Sequence, residues 1–249
     1  MKKFLTVALA GVLAASMLFT GCSKKAESKV PDKLIVGTNA EFPPFEYMND
    51  KKQPEGFDIA MIKEIGKRMG KKVEIKNMEF KSLIGAMESD SINAIIAGMT
   101  KTEKREKAVD FSDSYYTTNQ AIILKKDSKI TKLAQLDGKK IGVQEGTTGD
   151  LISSGDKFGD GKKAKVLVKG AKVKRFKKGV DAVMDLKNGS VDAVVIDELT
   201  ANEFVKKNAK KLKIVIDSAG SEYYCIALTK GNKAYKEEVN KQIKAIKED

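Results

Sequence analysis

From Lys33 onward the chain alternates short apolar runs with amphipathic stretches. Lys33-Leu34-Ile35-Val36-Gly37-Thr38 is brief, rich in branched residues and followed by a loop, which predicts a strand. Apolar residues at Phe57, Ile59, Ala60, Ile62, Ile65 and Met69 recur at helical spacing and predict an amphipathic helix over 56–69. Residues 72–77 read as a second strand, 82–89 as a short helix and 92–97 as a third strand. Thr102 stands where it can cap another short helix. The alternation then restarts. Strands are expected at 121–124 and 139–143, and Gly146-Thr147-Thr148-Gly149 opens the helix that follows. A helix over 180–187, a strand over 191–196, a helix over 198–207 and a strand over 212–216 come next. An antiparallel-looking strand at 222–228 and an amphipathic helix at 232–246 close the chain. Residues 156–178 carry many lysines and glycines and no clear period, so an irregular segment is expected there. Strands alternating with helices predict a parallel sheet with helices on its faces, and two such runs suggest two lobes.

The first 22 residues break this pattern. Lys2 and Lys3 precede an apolar run from Phe4 to Phe19, then Thr20-Gly21-Cys22 and a polar stretch. A short basic region, an apolar region and small residues at the cut form a secretory signal. Cys22 directly after the small residues looks like a lipobox, so cleavage before Cys22 and lipidation on it are expected. Phe19 departs from that pattern, which more often has Leu, Val or Ile three places before the cysteine. An ordinary signal peptide or an uncleaved anchor are the alternatives, although the run is short for a spanning helix. Residues 1–21 are therefore assigned to the signal and 22–29 to a lipidated flexible tether, in a stretch to Asp32 too poor in apolar groups to fold. The mature protein is expected outside the cytoplasm, anchored to a membrane at the periplasm or cell surface.

Charge changes this picture little. The formal net charge is +13, but the lysines are scattered, aromatic residues are few, and no basic run is interleaved with stacking side chains. Nucleic acid is not an expected partner. With Cys22 lipidated, Cys225 has no partner for a disulfide. It lies in Tyr223-Tyr224-Cys225-Ile226-Ala227-Leu228, where a free cysteine packs as a small hydrophobe. The chain has no histidine. That removes the commonest general base and the commonest transition-metal ligand, and with them Ser-His-Asp, Cys-His and histidine-based zinc chemistry. Neither metal nor cofactor is expected.

Candidate chemistry gathers where strands hand over to loops or helices, the place where open α/β sheets bind ligands. After the first strand, Gly37-Thr38-Asn39-Ala40-Glu41-Phe42-Pro43-Pro44 can present Asn39 and Phe42 at the sheet edge. Ala97-Gly98-Met99-Thr100 runs into Thr102-Glu103-Lys104-Arg105, where amides, the Thr100 hydroxyl and Arg105 suit a carboxylate. The alternative for Arg105 is a surface pair with Glu103 or Asp110. Gln144-Glu145-Gly146-Thr147-Thr148-Gly149 is a further turn with exposed amides and lacks the Gly-Lys-Ser/Thr ending of a P-loop. Asp197 ends the strand Asp192-Ala193-Val194-Val195-Ile196, where it suits an ammonium group or the cap of the next helix.

Taken together, these segments resemble the polar amino-acid-binding proteins of ABC importers, family 3 of the bacterial extracellular solute-binding proteins. Gly56-Phe57-Asp58-Ile59 and Asp110-Phe111-Ser112-Asp113 add to the match, which runs through nearly the whole mature chain. The resemblance implies an α/β, two-lobed periplasmic-binding-protein fold (type II), each lobe a mixed sheet flanked by helices, with two hinge crossings. Lobe one would hold residues 30–118 and 218–249, and lobe two 119–217. By family position Arg105 grips a ligand α-carboxylate, helped by Thr100 and the amides around Thr147 and Thr148. Asp197 and the Gly98 carbonyl hold the α-ammonium. Phe42 and Phe80 sandwich the side chain, with Asn39, Ala97 and Gln144 near its end.

The implied function is capture of a free polar amino acid, neutral or cationic, by a monomer that closes around it and delivers it to an ABC permease. Many relatives have aspartate where this chain has Asn39, which weakens an arginine or lysine reading, although Glu41 and Glu145 are placed to contribute. The chain also stops at Asp249, short of the final helix of relatives. Two alternatives stand beside a binding protein: an enzyme on the same scaffold, similar to cyclohexadienyl dehydratases, and a sensory or surface protein without transport.

Overall fold

The computed structural model describes residues 29–159 and 164–249, without the side chains of 218–220. The signal segment and the lipidation at Cys22 lie outside the described residues. Strand β1 (Lys33–Thr38) leads to three short antiparallel strands, β2 (Glu41–Phe42), β3 (Glu46–Met48) and β4 (Pro54–Glu55). Helix α1 (Phe57–Arg68) follows and carries the chain to β5 (Lys72–Asn77), parallel to β1. Gly56 starts that helix at φ 123, and a Cβ there would stand 2.3 Å from the Phe45 carbonyl oxygen, so only glycine fits. A turn of 3-10 helix and α2 (Leu83–Glu88) return to β6 (Ala94–Ile95), on the other side of β1. Helix α3 (Glu103–Glu106) then precedes β7 (Val109–Lys125).

The second run repeats this logic. It comprises β8 (Lys140–Gln144), α4 (Thr148–Ser153), the pair β9 (Lys157–Phe158) and β10 (Lys165–Val166), and β11 (Lys172–Phe176). Helix α5 (Gly179–Asn188), β12 (Ala193–Asp197) and α6 (Glu198–Lys206) lead to β13 (Leu212–Thr229) and α7 (Lys233–Glu248). The order β11-β8-β12-β7-β13-β6-β1-β5 makes a single hydrogen-bonded sheet of eight strands. Its two ends are the sheets of the two lobes. Strands β7 and β13, 17 and 18 residues long, are about three times the usual strand length. They pair antiparallel through both lobes, with a register shift between Asp217 and Ser221. This ribbon is the double crossing.

Helices cover both faces. Leu34 and Val36 of β1 pack with Ile62 and Ile65 of α1 and with Tyr235, Val239 and Ile243 of α7. The same cluster continues under lobe two through Ile123, Val183, Leu186 and Ile196. Opposite faces are closed by Leu83, Met87, Ile95 and Phe111 in one lobe and by Leu136, Ile141, Ile152 and Val195 in the other. Cys225 is a free thiol buried beside Ile95, Met99 and Phe111, and burial pushes its pKa to about 11. An inert, apolar role follows.

Most predicted elements form within a residue or two of their expected bounds, but five expectations are corrected. Residues 92–97 are strand only at Ala94–Ile95. The strands expected at 212–216 and 222–228 are halves of β13, and that at 121–124 is the end of β7. Segment 156–178 is not irregular throughout, because β11 pairs with β8. Lysines and arginine on its exposed side hide the pattern, as befits an edge strand. Leu34, with no exposed surface, sits at the centre of the shared core. Leu34→Ala is expected to cost about 2–5 kcal/mol in urea denaturation; a loss under about 1 kcal/mol would show that the core refills the space.

Candidate ligand-binding cleft

The cleft lies at the carboxyl ends of the parallel strands. Asn39 follows β1, Ala97 and Gly98 follow β6, Gln144 ends β8 and Asp197 ends β12. With Phe42, Phe80, Thr100, Arg105, Thr147 and Thr148 they line one cavity. All eleven residues singled out from the sequence therefore meet at one place. Thr102 caps α3 by accepting from the Arg105 amide at 3.3 Å. Thr147 caps α4 by accepting from the Asp150 amide at 3.3 Å, and it donates to the Gln144 carbonyl at 2.8 Å. Gly98 has φ +52, and a Cβ there would meet the Phe42 ring at 3.0 Å, so glycine lets the ring lie against the backbone. The Gly98 amide donates to Asp58 at 2.8 Å.

Arg105 is 7% exposed and turns inward, away from the surface pairing its sequence neighbours allowed. Its Nη1 donates to the Thr100 carbonyl at 2.5 Å and its Nη2 to the Gly146 carbonyl at 3.0 Å, so the guanidinium joins the two lobes. Its carbon lies 5.3 Å from the centre of the Phe80 ring, within range of a cation–π contact. Burial lowers its pKa to about 10, against the pull of Glu222 and Asp197. Asp197 precedes α6 without capping it. Its carboxylate instead accepts from Gln120 Nε2 at 2.8 Å and from the Tyr224 hydroxyl. Burial, and then Glu222, raise its pKa to about 8.

Sequence reasoning missed several residues of this centre. Glu222, buried in β13, accepts from the Thr100 hydroxyl at 2.5 Å and from the Thr148 hydroxyl at 2.7 Å. Burial raises its pKa as well. Gln120 in β7 links Thr148 to Asp197. Behind them Asp58 accepts from the Tyr115 hydroxyl at 2.7 Å, and the buried Glu46 stands beside it. In sequence, Gln120 and Glu222 show only as polar residues at the edges of the apolar runs 121–124 and 223–228.

Two neutral amides of the lining, Asn39 and Gln144, bond to each other. Gln144 Nε2 donates to Asn39 Oδ1 at 2.8 Å across the lobes, and Asn39 Nδ2 donates to the Met78 carbonyl. Glu41 and Glu145 are engaged with Lys178 and Lys81, each at 2.7 Å, and Glu79 with Lys177 at 2.6 Å. Each of these three pairs joins one lobe to the other. As partly exposed pairs they are worth about 0–1 kcal/mol each. The two glutamates expected to help a cationic side chain are thus occupied by lysines.

Comparison with known proteins gives the family. The family model of the bacterial extracellular solute-binding proteins, family 3, matches residues 34–249. The chain belongs to that family. It is 34% identical, over 259 aligned residues, to the arginine-binding extracellular protein ArtP of Bacillus subtilis, covering 99% of this chain and 97% of that one. An ancestral arginine-binding protein bound to arginine superposes with a TM-score of 0.76 at 40% identity, covering 89% of this chain and 95% of its own. The structure of an ancestral arginine-binding protein bound to glutamine gives 0.77 at 40% identity, covering 89% and 94%. Membership makes this a two-lobed, extracytoplasmic solute-binding protein of the amino-acid transport class. Its relatives are named as binding proteins and not as enzymes.

The buried carboxyls set a pH dependence. Asp58, Asp197, Glu46 and Glu222 all have folded pKa values above their ordinary ones, Asp58 at about 6 and Asp197 at about 8. The folded chain then binds more protons than the unfolded chain across this window, so stability falls as pH rises. Glu64, Glu74 and Asp110 are lowered and act only in acid, below their ordinary values of 4.5, 4.5 and 3.8. No histidine titrates in between. Urea denaturation should show the protein less stable at pH 8.5 than at pH 5, by at least about 1.4 kcal/mol, the equivalent of one pKa unit. Asp197→Asn should flatten that slope, and a flat wild-type profile would contradict the assignment.

Proposed function

We propose that this protein captures one free amino acid, cationic or neutral and polar, between its lobes and delivers it to an ABC permease from a lipid anchor on Cys22. One observation carries the reading: a buried guanidinium, Arg105, and a buried carboxylate, Asp197, line the same cavity. A zwitterion suits that pair, a guanidinium for its carboxylate and a carboxyl that ionises beside its ammonium. Arg105 takes the α-carboxylate with the amides around Thr147 and Thr148, while Asp197 and the Gly98 carbonyl take the α-ammonium. Phe42 and Phe80 flank the side chain, and the amides of Asn39 and Gln144 meet its end. The glutamine bound by an ancestral protein suits a neutral, hydrogen-bonding end, and the arginine named for relatives keeps the cationic class in the proposal. In this reading lobe one is 30–118 with 218–249 and lobe two is 119–217. Ligand contacts from both lobes favour the closed form by differential affinity, and the permease reads that form.

Calorimetry with arginine, lysine, histidine and glutamine is the direct test. At least one should bind, and Arg105→Ala should weaken it by about 2–5 kcal/mol, the cost of truncating one partner of a buried charged contact. Absence of binding to all four would overturn the reading. The anchor is tested separately: fatty-acid labelling in a bacterial host should mark the wild type and be lost in Cys22→Ala, and an unlabelled wild type would remove the lipid anchor.

A further inference from the structure

The carboxyl that both lobes reach is that of Glu222, which has no role in the ligand contacts just assigned. Its Oε2 accepts the Thr100 hydroxyl from lobe one at 2.5 Å and the Thr148 hydroxyl from lobe two at 2.7 Å. A threonine hydroxyl has one hydrogen to donate and two lone pairs with which to accept. Both hydrogens are spent on Glu222. What Thr100 and Thr148 offer the cavity they line is therefore oxygen lone pairs. Gln120 Nε2 donates at 3.2 Å to Thr148 and at 2.8 Å to Asp197, which places the Asp197 carboxylate in the same network. Thr100, Thr148 and Asp197 form a set of acceptors, and a set of acceptors suits a donor with several hydrogens.

We propose that Glu222 is a positioning residue for the ligand's ammonium group: it holds the hydrogens of Thr100 and Thr148 so that their oxygens accept from the ammonium beside Asp197. The other Glu222 oxygen, Oε1, is buried without a hydrogen-bond partner in a side chain 1% exposed. A buried carboxylate left short of donors is a demand for positive charge nearby, which Arg105 meets in part and an ammonium would meet further. Because one threonine comes from each lobe, the acceptor set is complete only when the lobes are closed. This changes the part given to Thr100, which serves the ammonium and leaves the carboxylate to Arg105 and the backbone amides. The inference rests on the reading of the cleft as an amino-acid site.

The test pairs a change in the protein with a change in the ligand, since the coupling between two changes isolates their interaction. L-arginine and 5-guanidinopentanoate, which lacks only the α-ammonium, are titrated calorimetrically into wild type, Glu222→Leu and Glu222→Gln. Glu222→Leu should weaken arginine at least 30-fold and the desamino acid less than threefold. Glu222→Gln keeps an oxygen that accepts both hydroxyls and should recover at least tenfold of the loss for arginine. Thermal melts show whether the leucine variant is folded. If it is not, the glutamine variant decides: arginine affinity within about tenfold of wild type supports the proposal, and a loss equal for both ligands overturns it. Equal losses for the two ligands in a folded Glu222→Leu overturn it as well. If wild type binds none of arginine, lysine, histidine or glutamine, the amino-acid reading itself falls and takes this inference with it. If wild type binds and the losses are equal, only the role of Glu222 falls.

Discussion

A guanidinium withdrawn from water must find compensating charge and acceptors, or the fold that buries it is unstable. Arg105 meets that condition through parts of the chain far apart in sequence: the carbonyls of Thr100 and Gly146, the Phe80 ring, and the electrostatic pull of Glu222 and Asp197. The rest of the cleft follows from it. Two carboxyls face one cation, so each carboxyl is held by neutral donors, Tyr224 and Gln120 for Asp197 and two threonines for Glu222. The result is a polar centre whose bonds cross from one lobe to the other.

The ribbon of β7 and β13 makes such a centre possible. It supplies Gln120, Glu222 and Tyr224 from its middle, where the chain passes between lobes, and it is clamped at both ends by apolar clusters. Tyr224 shows the economy of the arrangement. Its ring packs edge-on against Phe45 at 5.0 Å, in the aromatic cluster behind the cleft, while its hydroxyl reaches Asp197. One side chain thereby joins core packing to site electrostatics. Lysine pairs between the lobes add little energy, but they occupy Glu41, Glu79 and Glu145.

Much of the scaffold was legible in the sequence because local rules decided it. The period of α1, the strand β1 and the cap Thr102 follow from side-chain spacing and hydrogen bonds within a few residues. Strand β11 and the full lengths of β7 and β13 did not follow, since their lysines and polar residues acquire meaning only beside a partner strand. The lining residues were legible for a different reason: they stand at strand ends and in motifs whose order matched a known family. Glu222 had neither signal, being a lone acid at the edge of an apolar run.

What the amino-acid sequence determined by itself was the alternation of strands and helices, the family and the kinds of group available for binding, including the lack of any histidine. Which of those groups face one another was decided only by the tertiary structure. Glu41 and Glu145 look like ligand carboxylates until Lys178 and Lys81 are brought across to them. Glu222 looks like a surface residue until the ribbon carries it between Thr100 and Thr148. The reason is that charge and hydrogen-bond direction depend on distance in space, while sequence records distance along the chain.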